Sequence, residues 1–178
     1  MAEIAVPNLD QLKQAIPEPA KDIRINLGNV LTSETLDATQ LWGVALASAY
    51  YLREPRLREA LVADALAAGV ADDVLQDAQA AAALMGMNTV FYRFRHMVGK
   101  DSYAKRPARL RMQWMTQPKT GKPNFELFSL AVAALAGCEA CIKAHEASVL
   151  KAGLTEEHVQ DTVRLAAVLS GAAVALAM

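Results

Sequence analysis

Asp37-Ala38-Thr39-Gln40-Leu41-Trp42-Gly43-Val44-Ala45-Leu46-Ala47-Ser48-Ala49-Tyr50-Tyr51-Leu52 decides the fold class. Asp37 can cap forward while Gln40, three residues on, reaches back, which is the capping box of a helix start. Behind that cap, Leu41, Val44, Ala45, Ser48 and Leu52 recur at three- and four-residue spacing, the period of one helix face. Glu54-Pro55 closes the run. Outward from it, Pro7, Pro17-Glu18-Pro19, Gly69, Asp101-Ser102, Pro107, residues 118–123 and Gly153 cut the chain into pieces of helix length. Thr155-Glu156-Glu157-His158 opens the last piece after Gly153 ends the one before. Alanine is abundant, β-branched runs are nearly absent, and no segment alternates with period two, so helix is favoured almost everywhere. The expectation is an all-α fold, one helical domain over residues 1–178.

A weak internal repeat runs through the chain. Leu66-Ala67-Ala68-Gly69-Val70-Ala71-Asp72-Asp73-Val74-Leu75-Gln76-Asp77 parallels Leu150-Lys151-Ala152-Gly153-Leu154-Thr155-Glu156-Glu157-His158-Val159-Gln160-Asp161. Upstream, Gln40-Leu41-Trp42-Gly43-Val44-Ala45 parallels Glu126-Leu127-Phe128-Ser129-Leu130-Ala131, two residues out of step. The expected repeats are residues 36–90 and 122–176, with Cys138, Cys141 and His145 facing Glu54, Leu57 and Leu61 of the first half. Only the second half would then carry chemistry.

Formal net charge is −1, which offers no attraction for nucleic acid or an anionic membrane. Met1-Ala2-Glu3-Ile4-Ala5-Val6-Pro7 has neither a basic start nor an apolar stretch of signal-peptide length. The most apolar segment, residues 165–178, is shorter than the roughly 20 residues of a membrane span and reads as a buried helix. A cytoplasmic location is expected.

The two cysteines, Cys138 and Cys141, are three apart, and a disulfide between them closes too small a ring to stabilise a fold through loop entropy. Three uses remain open: buried structural thiols, metal ligation or redox chemistry. Zinc would take Cys138, Cys141 and His145, with His96, His158 or Glu126 as the fourth ligand a closed site wants. For redox work, the placement is suitable. Asn124 is read as the N-cap of one helix, Gly137 as a tight turn, and residues 138–151 as the next helix. The thiols then sit in a first turn, where unpaired N–H groups and the helix dipole favour a thiolate. His145 shares their helix face and can move the thiol proton. Folding back at Gly137 sets Glu126 about three residues, or roughly 4.5 Å of axial rise, from His145, where its carboxylate can hold the imidazole directly or through one water. Such a dithiol suits peroxide reduction by way of a sulfenic acid.

Glu126-x11-Cys138-x2-Cys141-x3-His145 resembles the motif of the alkylhydroperoxidase D (AhpD) family, within the carboxymuconolactone decarboxylase-like superfamily. Further matches are Leu12-Lys13 through Asp22-Ile23, Gln40-Leu41-Trp42-Gly43, Met85-Gly86-Met87-Asn88-Thr89-Val90-Phe91-Tyr92-Arg93 and Asn124-Phe125-Glu126-Leu127, so the resemblance covers nearly the whole chain. It implies an internally duplicated all-helical protomer in a homotrimer or a multiple of one, reducing alkyl hydroperoxides and hydrogen peroxide. By the same resemblance Cys141 is the attacking thiolate, Cys138 the resolving thiol and the more accessible one to the reductant, and His145 and Glu126 the proton relay. The implied electron donor is dihydrolipoamide or a lipoylated acyltransferase subunit of a 2-oxoacid dehydrogenase complex, and the implied partner is the peroxiredoxin AhpC. One departure stands out: family members place a histidine between the cysteines, and this chain has Ala140 there, with Glu139 beside it to oppose a thiolate.

No G-x-G-x-x-G follows a strand, so no bound flavin or nicotinamide cofactor is expected. A dithiol adaptor that only relays electrons to a peroxiredoxin is the alternative function. A lactone decarboxylase or isomerase, as elsewhere in the superfamily, is disfavoured by the retained dithiol. Arg93, Arg95, Lys100, Lys105, Arg106, Arg109 and Arg111 against Asp101 form either a solvated or subunit-facing stretch or a docking face for an acidic lipoyl carrier. Met85, Met87, Met97, Met112 and Met115 are either core filler or the lining of a hydroperoxide pocket.

Overall fold

The computed structural model describes residues 5–178; the first four residues of the N-terminal stretch considered above lie outside them. Among the described residues there are α-helices, short 3-10 turns and no strand. The helices are α1 (Pro7–Lys13), α2 (Lys21–Asn29), α3 (Ala38–Leu52), α4 (Pro55–Ala67), α5 (Asp72–Val98), α6 (Asp101–Ala104), α7 (Lys122–Leu135), α8 (Glu139–Lys151) and α9 (Glu156–Leu176).

The capping box of α3 forms as its sequence suggests: the Gln40 N–H donates to Asp37 Oδ1 (2.9 Å) and the Asp37 N–H to Gln40 Oε1 (3.1 Å). At the start of α9, the Thr155 N–H donates to His158 Nδ1 (3.3 Å). Asn124 does not cap α7. Gly121 holds that place, at φ 87°, and Pro123 enters the first turn, where no N–H is needed. Asn124 instead lies inside α7, donating to the Thr120 carbonyl (2.9 Å) and accepting from Gln40 Nε2 (3.3 Å).

α3 and α7 form the centre of the molecule. They pack on each other, on α5 and on α9, while α4 and α8 lie against α3 and α7 respectively. Trp42, Leu46, Phe125, Leu127, Phe128 and Leu130 are fully buried at this centre. Each such side chain contributes roughly 1.5–3 kcal/mol by leaving water. α1 covers α4 and α2 covers α9. Among the described residues, α9 is the one helix long and apolar enough, by length and composition, to cross a bilayer; here it packs on α2, α3 and α7.

The triads α3-α4-α5 and α7-α8-α9 repeat the same turns. Between the first and second helices, Arg53 (φ 59°) and Gly137 (φ 63°) are left-handed, each followed by an N-cap, Glu54 or Cys138. Between the second and third, both turns make the paired bonds of a Schellman motif: Val70 N–H to Ala65 O with Gly69 N–H to Leu66 O, and Leu154 N–H to Val149 O with Gly153 N–H to Leu150 O. Counted from the caps, Gln40 and Asn124 occupy the same third position, so the α3/α7 register pairs Gln40 with Asn124 and not with Glu126. In the first triad the counterparts of the cysteines and histidine are structural: Glu54 Oε2 accepts the Leu57 N–H (2.6 Å), and Leu57 and Leu61 are core.

Candidate active site

The cysteines are placed by the turn that ends α7. Gly137 is the left-handed residue of a Schellman motif; its N–H donates to Ala134 O (3.0 Å) and the next N–H, that of Cys138, donates to Ala133 O (3.1 Å). The residue that closes α7 is therefore also the N-cap of α8. No side chain caps α8, so its first N–H groups and the positive end of its dipole are left to act on the thiols. Cys138 and Cys141 are joined in a disulfide, their Cα atoms 5.3 Å apart. Cys138 is completely buried and Cys141 is 6% exposed, so the expectation that Cys138 is the more accessible sulfur is not met in the oxidised form. The turn folds Cys138 into the core beneath α7, and one helical turn on Cys141 reaches the wall of a cavity.

His145 Nδ1 lies 2.6 Å from Glu126 Oε2, both side chains 11% exposed. The contact is direct, with no water needed. A carboxylate only accepts hydrogen bonds, so Nδ1 carries the proton and Nε2 remains for chemistry. Glu126 stands on α7 among Phe125, Leu127 and Phe128, a buried anion kept in place by the imidazole it holds.

Cys141, Ala144 and His145 of α8 open onto one cavity of about 240 Å³. Ala140 lines it too, and α5 supplies Met85, Asn88 and Tyr92. Met112 and Met115 complete the wall from the segment between α6 and α7. Asp77, fully buried on α5, fixes that segment: it accepts from Trp114 Nε1 (2.7 Å), from the N–H groups of Lys119 (3.2 Å) and Thr120 (2.7 Å), and from Thr120 Oγ1 (2.7 Å).

A model of the carboxymuconolactone decarboxylase family matches residues 101–178. Over 168 residues, 94% of this chain and 90% of the relative, the sequence is 54% identical to the alkyl hydroperoxide reductase AhpD of Anaeromyxobacter sp. (strain K). The chain belongs to the AhpD family. It is also similar to the proteins of that name from Rhodospirillum centenum, 45% identical over 173 residues (95% and 90% of the two chains), and Brucella canis, 46% identical over 170 residues (95% and 96%).

The family position between the cysteines, Ala140 here, is thus a cavity-lining position, and a methyl group there leaves the cavity more apolar than an imidazole would. Glu139 turns away from it. The carboxylate is exposed and bonds Lys143 Nζ (2.5 Å) and His96 Nε2 (3.1 Å); the Lys143 bond first, then His96, hold its pKa below the ordinary carboxylate value. The Lys143 ammonium therefore offsets the charge that opposes a thiolate. His96 is taken up in that contact and His158 in the start of α9. Among the described residues, no three His, Cys, Asp or Glu side chains are grouped to hold a metal ion.

Of the five methionines singled out above, Met85, Met112 and Met115 line the cavity, whereas Met97 is exposed and Met87 is outside it. Arg93 is not part of a solvated basic stretch: half-buried, it donates through Nη1 to the Ala136 carbonyl (2.6 Å), at the C-terminal end of α7 beside the Gly137 turn. Asn88, Tyr92 and Asp77 escaped the sequence reading as site residues. Asn88 and Tyr92 are four apart on one face of α5, a spacing that could have been found beside the methionines. The role of Asp77 depends on a distant loop and has no local signal.

Proposed function

We propose that this AhpD-family protein is a thiol peroxidase that reduces alkyl hydroperoxides and hydrogen peroxide through the Cys138–Cys141 pair. The observation that carries the proposal is that Cys141 and His145 line one largely apolar cavity while Glu126 holds the far nitrogen of that imidazole. In the reduced form the Cys141 thiolate attacks the terminal oxygen of R–O–O–H. The S–O bond forms as the O–O bond breaks, and the departing alkoxide takes the proton of His145 Nε2. Cys141 is then a sulfenic acid; the Cys138 thiol displaces its hydroxyl, water leaves, and the disulfide results. Glu126 stabilises the imidazolium before proton transfer and fixes the ring orientation afterwards.

A second dithiol returns the two electrons. Dihydrolipoamide or a lipoylated acyltransferase subunit of a 2-oxoacid dehydrogenase complex is the donor proposed, with AhpC as a further electron acceptor. The protein works in the cytoplasm as a homotrimer or a multiple of it, without bound cofactor, nucleic acid or membrane. The test is consumption of an alkyl hydroperoxide by the pure protein with dihydrolipoamide, against a blank without protein. Catalytic turnover is expected. A disulfide that dihydrolipoamide reduces, in a protein that consumes no peroxide, overturns the proposal and leaves the electron-relay role.

A further inference from the structure

The cavity beside Cys141 is lined by a buried carboxamide, that of Asn88, whose oxygen has no hydrogen-bond partner. Asn88 is 4% exposed, its Oδ1 has no hydrogen-bond partner, and its Nδ2 finds only the weakly accepting Met115 Sδ at 3.8 Å. A buried carboxamide without partners is costly, and in a native fold such a group calls for a reason. Packing supplies none, since leucine has nearly the same shape and no unmet polar atoms. The neighbouring Thr89 returns its hydroxyl to the Met85 carbonyl (2.7 Å), one turn back on α5, whereas Asn88 makes no such bond. Its wall of the cavity, α5, packs against α8, which carries Cys141 and His145.

We infer that Asn88 is a third functional group of this site, hydrogen-bonding the O–O–H of the hydroperoxide while Cys141 attacks it. The inference rests on the peroxidase reading and adds a substrate-contacting residue to it. A hydroperoxide offers one O–H donor and two oxygen acceptors; a carboxamide offers the complement, a carbonyl and an NH2 group. The Asn88 carbonyl accepts the terminal O–H, which restrains the rotation of that oxygen and presents the O–O bond to sulfur. The NH2 group donates to the peroxide oxygens, where negative charge grows as the bond breaks. The balance is unchanged: HO passes to sulfur, sulfur is oxidised as the O–O bond is reduced, and RO⁻ leaves with the proton from His145. The remaining cavity wall, largely methionine, alanine and the Tyr92 ring, accepts the alkyl group without directing the peroxide.

The experiment measures the second-order rate constant of the fully reduced protein with hydrogen peroxide and with tert-butyl hydroperoxide, in the wild type, Asn88→Leu and Asn88→Ala. Both variants are expected to react at least about tenfold more slowly, by the same factor for both peroxides, because the contact is with the shared O–O–H. Their disulfides should still be reduced by dithiothreitol at the wild-type rate, and Asn88→Leu should unfold no earlier than wild type. Wild-type rates in both variants overturn the inference. So does a loss confined to the alkyl peroxide, which marks a packing role, or an equal loss in dithiothreitol reduction, which marks a distorted site. If wild-type protein consumes no hydroperoxide at all, the peroxidase reading fails and this inference with it; a reactive wild type matched by its variants removes only the inference.

Discussion

Glu126 Oε2 and His145 Nδ1 meet at 2.6 Å although the residues sit on different helices, α7 and α8, joined by the left-handed Gly137. A helix-turn-helix that folds back at Gly137 brings the third turn-length of one helix beside the second of the other. The Schellman turn thus sets two things at once, the uncapped helix start under the cysteines and the carboxylate behind the imidazole.

Glu126→Gln keeps an acceptor for Nδ1–H but removes the charge that favours the imidazolium. Peroxide reduction by the reduced protein should fall by about 10²-fold, and His145→Phe by at least as much. Stopped-flow rates for the first turnover measure this directly. Wild-type rates in either variant would remove the proton relay from the mechanism.

The two sulfurs should separate cleanly in a single-turnover titration. Cys141→Ser should consume no peroxide. Cys138→Ser should consume about one equivalent and stop as a sulfenic acid, which a dimedone adduct and mass spectrometry would locate at Cys141. Full turnover by Cys141→Ser contradicts the assignment of the attacking thiolate.

Cys138 is completely buried, and Cys141 reaches the cavity. In single-cysteine variants, a small aromatic disulfide reagent should therefore label Cys141 at least about tenfold faster than Cys138. The same asymmetry directs a reductant first to Cys141 unless the turn at residues 136–138 opens. Faster labelling of Cys138 would show that the turn does open in solution.

The all-helical class was legible because capping and spacing agreed along the whole chain, as in the Asp37 box and the left-handed glycines Gly69, Gly137 and Gly153. The Glu126–His145 contact was legible because one short turn joins their helices, so axial rise alone fixes their separation. What sequence spacing missed are contacts that no single turn determines. Asn124 has the residue type of a cap but does not serve as one, because Gly121 and Pro123 start α7 earlier, and its carboxamide is used across the α3–α7 interface with Gln40. The burial of Cys138 and the unpaired carboxamide oxygen of Asn88 depend on how α5 and α7 pack on α8. That packing is tertiary and leaves no trace in helical periodicity.

Asp77 anchors the segment that carries Met112 and Met115, a role that sequence could not show. Asp77→Ala leaves the Trp114 and Thr120 donors without their acceptor and should cost on the order of 2–4 kcal/mol in denaturant unfolding. Since Met112 and Met115 line the cavity, KM for an alkyl hydroperoxide should rise more than KM for hydrogen peroxide. An unchanged preference between the two would mean that the segment does not shape the binding of the alkyl group.

Gly43 tests the central helix pair. A Cβ built there would lie 1.9 Å from the Phe128 ring, which is fully buried and has no room to retreat. The glycine is required by the close approach of α3 and α7 and not by backbone angle, since it sits in the interior of α3. Its intrinsic cost to the helix, about 1 kcal/mol against alanine, is offset by the ring that fills the space. Gly43→Ala should therefore destabilise the protein, by roughly 2–3 kcal/mol, in spite of alanine's better helix propensity. Phe128→Leu alone should also destabilise by leaving a cavity, but the double variant should be more stable than the sum of the two losses predicts, because the shorter side chain admits the methyl group. Because α7 carries Glu126 and ends in the turn that sets Cys138, Gly43→Ala should slow the first peroxide turnover as well. Additive losses in the double variant would show that the two residues do not share the space the structure gives them.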